Sequence, residues 1–238
     1  MLTAVTLDFW DTIYLGSSTP ERVRRRHEAL QAMLRDLGRE LPADEFKALY
    51  HASYEEAERW WVEQRGYTTA DRIRWLLGQL EIERPEDCGF IARAVDEIDA
   101  TLTDVPPPLI PGAAEGIREL ASRFKLAIVS DTGFPSGRAQ NRLLEQDGLL
   151  QYFTATIYSG EIGHCKPRPE PFRKALELLG ASPDEAIHVG DIERTDVAGA
   201  LGVGMRAVRL DAVRANGSTD AELVATTFAE VVRHVTGV

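Results

Sequence analysis

The chain has almost no cysteine. Cys88 and Cys165 are the only two in 238 residues, far apart and outside any CxxC or CxxxC spacing. They give neither a disulfide framework nor a zinc site, and both read as buried or inert thiols. Long apolar runs are absent too: no stretch approaches the ~20 apolar residues of a membrane span, so no membrane partner is expected. Met1 to Val5 carries no basic segment, and Asp8 and Asp11 interrupt the apolar run that follows. A secretory signal is therefore not expected, and the expected location is cytoplasmic. Positive charge is scarce, with 27 Lys and Arg against 38 Asp and Glu, a net charge of −11, and Arg24-Arg25-Arg26 as the one basic cluster. Nucleic acid is thereby disfavoured as a partner, and an anionic substrate would need a local positive site. With 12 Pro and 19 Gly against 44% hydrophobic residues, the composition is that of a folded chain of one large or two modest domains.

What is present is alternation. Residues 3–9, Lys125–Ser130, Ala155–Ser159, Ala186–Gly190 and Arg206–Leu210 are short, nearly continuous apolar runs, as strands covered on both faces should be. Helical stripes lie between them, for example Ile117, Leu120, Ala121, Phe124 and Phe172, Ala175, Leu176, Leu179, the latter stopped by Gly180. The pattern predicts an α/β fold with a doubly wound, Rossmann-like parallel sheet.

Between the first two strands lies a stretch of different character, with four 3.6-period stripes: Val23 to Leu37, Phe46 to Trp61, Ile73 to Leu80 and Ile91 to Leu102. They predict an inserted α-helical domain of four antiparallel helices over 17–105, with 1–16 and 106–238 forming the core. Leu15–Pro20 and the Pro106-Pro107-Pro108 and Pro111-Gly112 breaks mark its two links. The Trp60-Trp61 pair reads as packing within it, with one ring lining a substrate pocket as the alternative, and Arg24-Arg25-Arg26 reads as a solvated helix face.

Four segments at the C-terminal ends of the expected strands carry the polar chemistry: Asp8; Ser130-Asp131-Thr132; Lys166; and Gly190-Asp191 with Asp196 beyond it. In open α/β sheets that edge binds ligands. These segments, LDFWDT (Leu7–Thr12), VSDT (Val129–Thr132), GHCKPRPEPF (Gly163–Phe172) and HVGDIERTDVAGA (His188–Ala200), resemble those of the haloacid dehalogenase (HAD) superfamily, and the helical insertion resembles that family's cap. The resemblance covers essentially the whole chain. It implies a phosphatase-like hydrolase in which Asp8 is the nucleophile and forms an aspartyl intermediate on a small phosphorylated metabolite. It also implies Mg²⁺ held by Asp8, the Trp10 backbone carbonyl and Asp191, with Asp196 supporting the metal or orienting Lys166. Lys166 would neutralise charge beside the nucleophile, and Ser130 with nearby Asp131 and Thr132 would hold the substrate's phosphoryl oxygens. Asp131 could equally be a loop carboxylate, and Asp196 a helix cap. His188, on an apolar strand, reads as a core residue, and His164 as a loop residue. A monomer or a homodimer fits the sequence.

One position departs from the family pattern. Family phosphatases carry a second Asp two residues after the nucleophile, and here that residue is Trp10. Losing a general acid worth ~10²–10⁴-fold would add about 3–5 kcal/mol to the barrier for a poor leaving group. Acyl or aryl phosphates are then better substrates than alkyl phosphates, unless Asp11 or His164 substitutes. The departure also leaves open a haloacid dehalogenase, a phosphonatase-type hydrolase and a non-catalytic binder of phosphorylated ligands. The Asp191/Asp196 pair speaks for a metal-dependent reaction, and Lys47, the only lysine between Asp11 and Lys125, carries no mark of activation.

Overall fold

A computed structural model describes residues 1–82, 89–215 and 217–237. Cys88 lies outside the described residues, and Cys165 is buried as expected. Among the described residues, six parallel strands form one sheet in the order β3-β2-β1-β4-β5-β6. They are β1 (Ala4–Leu7), β2 (Lys125–Ser130), β3 (Phe153–Tyr158), β4 (Ala186–Gly190), β5 (Arg206–Leu210) and β6 (Leu223–Ala225). Leu7 stands opposite Ile128 on one side and Val189 on the other, which aligns the C-terminal ends of β1, β2 and β4. The chain runs outward from β1 through β2 to β3, then crosses back to β4 on the other side. That reversal opens a crevice at the C-terminal ends of β1 and β4.

Strand alternation splits the core between the two sheet faces. Val5, Leu7, Leu126, Ile128, Ile187 and Val189 pack beneath α5 (Ala113–Ala121), α6 (Gly137–Gln146) and α10 (Phe228–Thr236). Ala4, Ala127, Val129 and Ala207 pack beneath α8 (Pro169–Leu179) and α9 (Ala198–Gly202), where Phe172 and Leu176 fill the space left by small strand residues. A single turn, α7 (Ser159–Ile162), follows β3. It ends that strand at Tyr158, one residue earlier than the apolar run suggests.

Among the described residues, four further helices lie between β1 and β2: α1 (Pro20–Asp36), α2 (Ala43–Val62), α3 (Thr69–Gln79) and α4 (Phe90–Asp104). Thr19 caps α1, accepting from Arg22 N at 3.2 Å, and Pro20 occupies its first turn. These helices share their own apolar cluster of Leu30, Met33, Leu34, Phe46, Tyr50, Ile73, Leu76 and Ile98, which Phe134 enters from the loop after β2. None of the described helices is long and apolar enough to cross a membrane. The reading of Arg24-Arg25-Arg26 as a solvated face is corrected at its last residue. Arg24 pairs in the open with Glu21 and Glu28, whereas Arg26 is buried, with its guanidinium 5.3 Å from the Phe134 ring centre and bonded to Ser18 Oγ at 3.0 Å.

Candidate active site

The crevice holds a cavity of about 250 Å³ lined by Asp8, Lys166, Asp191 and Asp196 at its base. Each arrives by a short chain of local causes. Asp8 continues β1 by one hydrogen bond, N to Val189 O at 2.9 Å, before the backbone turns so that Phe9 O accepts from both Ile13 N and Tyr14 N. Asp11 completes the turn in the left-handed region (φ 55°), where its Oδ1 accepts from Gly16 N at 2.8 Å. Asp191 follows β4 directly. Asp196 folds back against that strand's end, and only a glycine at 190 lets it do so, because a Cβ there would lie 2.3 Å from Asp196 Cγ.

Lys166 joins these pieces. Its Nζ donates to Asp8 Oδ1 at 2.5 Å and to Asp196 Oδ1 at 2.6 Å, and its backbone N donates to Asp131 Oδ1 at 3.0 Å. The lysine is 2% exposed, Asp8 6% and Asp196 1%, so water screens these charges little. Carboxylate oxygens of Asp8, Asp191 and Asp196 all lie within 4.8 Å of one another. Three carboxylates against one ammonium leave the base in negative excess, and the acids respond to it. Burial raises the Asp8 carboxyl above its usual range against the pull of Lys166. Burial and the Asp196 charge push Asp191 up to about 7. Burial acts on Asp196 in the same sense, but the Lys166 ammonium and His188 outweigh it and hold Asp196 below the usual carboxylate range. Burial lowers the His188 pKa, which favours the neutral imidazole.

This donor set suits a hard divalent cation. Asp8 and Asp191 offer oxygens at the cavity, and the Trp10 carbonyl accepts no hydrogen bond from any described residue. A dication would cancel the excess charge.

The remaining expected residues fall less uniformly. Asp131 and Thr132 line the cavity, but their polar atoms are engaged. Asp131 Oδ2 accepts from the Trp61 indole N–H at 2.9 Å, and the Thr132 hydroxyl contacts Tyr67 O at 3.3 Å and Gly160 N at 3.1 Å. Ser130 does not line the cavity; it is 2% exposed, and its hydroxyl donates to Gln140 Oε1 at 3.1 Å. Trp10 lines the cavity and packs edge-on against Phe9. His164 does not reach the cavity, whereas Asp11 lines it and accepts from Arg214 at 3.1 Å.

Glu58, Tyr67, Gly133, Ile192, Thr195 and Arg214 also line the cavity without a sequence pattern that marks them, and Trp61 takes the pocket-lining alternative of the tryptophan pair. The tryptophan pair divides: Trp60 is buried with Ala57 and Tyr67, while Trp61 faces the cavity with the Arg194 guanidinium 4.2 Å from its ring centre. Consecutive helical residues point about 100° apart, so a pair cannot share one environment.

Comparison with known proteins agrees with this geometry. Residues 2–204 match the family model of the haloacid dehalogenase-like hydrolases. The chain is 31% identical over 204 residues to a phosphoserine phosphatase of Thermus thermophilus, covering 76% of this chain and 81% of the relative. It is 32% identical over 214 residues to a glyceraldehyde 3-phosphate phosphatase of Methanopyrus kandleri, covering 88% and 84%. Among solved structures, a 2-haloacid dehalogenase of Pseudomonas syringae superposes with a TM-score of 0.71 at 21% identity, covering 100% of this chain and 99% of the other. A HAD phosphatase of Thermococcus onnurineus gives 0.68 at 24%, covering 99% and 98%. At those identities the two structures speak for the fold. The family match and the two curated relatives settle the assignment: this chain belongs to the haloacid dehalogenase-like hydrolases.

Proposed function

We propose that the protein is a Mg²⁺-dependent phosphatase that hydrolyses a small phosphorylated metabolite through an aspartyl-phosphate on Asp8, with the helical segment 17–105 acting as a cap over the core. The observation that carries this reading is the Asp8 carboxylate, held 2.5 Å from the Lys166 ammonium within a buried set of three carboxylates. A metal-independent displacement gains nothing from Asp191 and Asp196, whereas a phosphoryl dianion entering beside them requires a cation.

An Asp8 oxygen attacks phosphorus and the bond to the leaving oxygen breaks, giving an acyl phosphate. Water then cleaves it, releasing inorganic phosphate and restoring the carboxylate. Lys166 spends two of its three N–H bonds on Asp8 and Asp196, leaving the third for a phosphoryl oxygen. The Gly133 N–H, which bonds to no described residue, is a second donor at the cavity wall. Asp8, Asp191 and the Trp10 carbonyl would hold Mg²⁺, which when bound supplies positive charge to the transferring group. With Trp10 in the usual acid's position, aryl and acyl phosphates should turn over faster than alkyl phosphates.

The test is a phosphomonoester panel assayed with and without Mg²⁺, beside Asp8→Asn. Phosphate release that needs both Mg²⁺ and Asp8 is expected. Halide release from a 2-haloacid without metal would return the dehalogenase reading, and no turnover on any ester would favour a phospho-ligand binder.

A further inference from the structure

Asp196 is saturated with hydrogen-bond donors. Its Oδ1 accepts from Lys166 Nζ at 2.6 Å and meets His188 Nε2 at 3.1 Å. Its Oδ2 accepts from Ile192 N at 2.9 Å and, more weakly, from the Thr195 hydroxyl at 3.4 Å. A carboxylate has about four lone-pair sites, and protein donors meet all of them. Asp191 stands differently: it is buried but lines the cavity, with Arg214 at 3.5 Å.

His188 has no contact with the cavity, being 0% exposed on β4 with the edge of its ring against Phe172, centre to centre 5.1 Å. Its other nitrogen, Nδ1, lies 2.7 Å from Thr6 Oγ1 on β1. Because Asp196 can only accept, Nε2 must carry the proton, and the Thr6 hydroxyl then donates to Nδ1 of the neutral ring. An unbroken chain Thr6–His188–Asp196–Lys166–Asp8 thus runs from the interior of two adjacent strands to the nucleophile.

We propose that His188 is a positioning residue for the reaction: its Nε2–H fixes Asp196 Oδ1 on Lys166 and commits Asp196 to the lysine rather than to the metal. This rests on the phosphatase reading above. An aliphatic residue would pack as well among Phe172 and the small strand residues, so packing alone does not account for a histidine bonded at both nitrogens. Positioning residues one hydrogen bond behind a reactive or ligating group typically matter by ~10–100-fold.

The experiment has three arms. In the metal-free wild type, ¹⁵N NMR of the histidine rings should show the His188 proton on Nε2 and none on Nδ1; a proton on Nδ1 alone overturns the proposal. Calorimetric titration with Mg²⁺ or Mn²⁺ should leave Asp196→Asn within about threefold of wild-type affinity while Asp191→Asn loses tenfold or more, and equal losses overturn it. On an aryl phosphate, His188→Leu should lower kcat ~10–100-fold with KM and metal affinity little changed. His188→Gln, which can return a donor at similar reach, should recover most of that loss, and an unaffected His188→Leu overturns the proposal. The NMR arm needs no variant to fold, and the NMR and calorimetric arms need no turnover. Failure of the wild type on every phosphate ester therefore strikes the phosphatase reading and leaves the Asp196 assignment separately decided.

Discussion

The cavity has two sides of opposite construction. Its base gathers Asp8 just past β1, Lys166 from the loop after α7 and Asp196 from the helical turn after β4, all nearly inaccessible and linked through the Lys166 ammonium. Its wall is made by helical and loop residues such as Glu58 and Arg214, which are exposed, and Trp61, which is half-buried; Trp61 reaches Asp131, and Arg214 reaches Asp11 and Asp191. A base that is buried and hydrogen-bonded can present charge at a reacting atom without reorganising. A wall that is exposed can change shape with the leaving group it meets. On the reading proposed above, the base would set the reaction type and the wall the substrate choice, a division that experiment can break.

The largest effect should follow from Lys166→Met. Removing the ammonium leaves Asp8 and Asp196 buried without their counter-charge, which typically costs ~3–5 kcal/mol of stability. Turnover should fall by about 10²–10³-fold, the scale of losing one charge-stabilising donor. Thermal unfolding and kcat measured together check this, and a variant as active as wild type would remove the base's claim to the chemistry. Mg²⁺ at millimolar concentration should raise the melting temperature of the wild type and not of Asp191→Asn, because only a native-state site couples ion binding to folding. A smaller effect is expected at Gly190→Ala. Its Cβ would meet Asp196 Cγ at 2.3 Å, and forcing that contact should cost about 1–3 kcal/mol. A matching drop in kcat is expected, since the shifted carboxylate is the one that holds Lys166. An unaltered melting temperature would show that Asp196 is free to move.

The same contrast explains what could be read from the sequence. Parallel strands buried on both faces leave continuous apolar runs, and β2, β4 and β5 begin and end where those runs do. Asp8 and Asp191 sit one residue past β1 and β4, so their place in the crevice follows from the strands, whereas Lys166 lies beyond α7 and is placed by the loop that follows it. Ser130 shows the limit: it ends β2 as expected, but whether a strand-end side chain faces the cavity or Gln140 depends on α6, which no local pattern reveals. Arg26 departs from the solvated face because the ring it covers, Phe134, comes from a distant loop. Arg214 belongs to a loop without period, and β6 is a three-residue edge strand too short to leave a signature.

Beside the Arg214 contacts to Asp11 and Asp191, one further bond joins wall to base, and its loss should have the smallest effect. The Trp61 indole donates to Asp131 Oδ2, while Asp131 Oδ1 accepts from the backbone N of Lys166. Trp61→Phe keeps an aromatic surface and deletes the donor, a change worth about 0.5–1.5 kcal/mol. If wall and base are separate, KM for an aryl phosphate should rise by ~2–10-fold, the equivalent of that energy, with kcat nearly unchanged. If kcat falls instead while KM holds, the bond through Asp131 transmits to Lys166. Trp61 would then belong to the base in all but position, because losing an interaction felt only in the transition state lowers kcat and leaves ground-state binding alone.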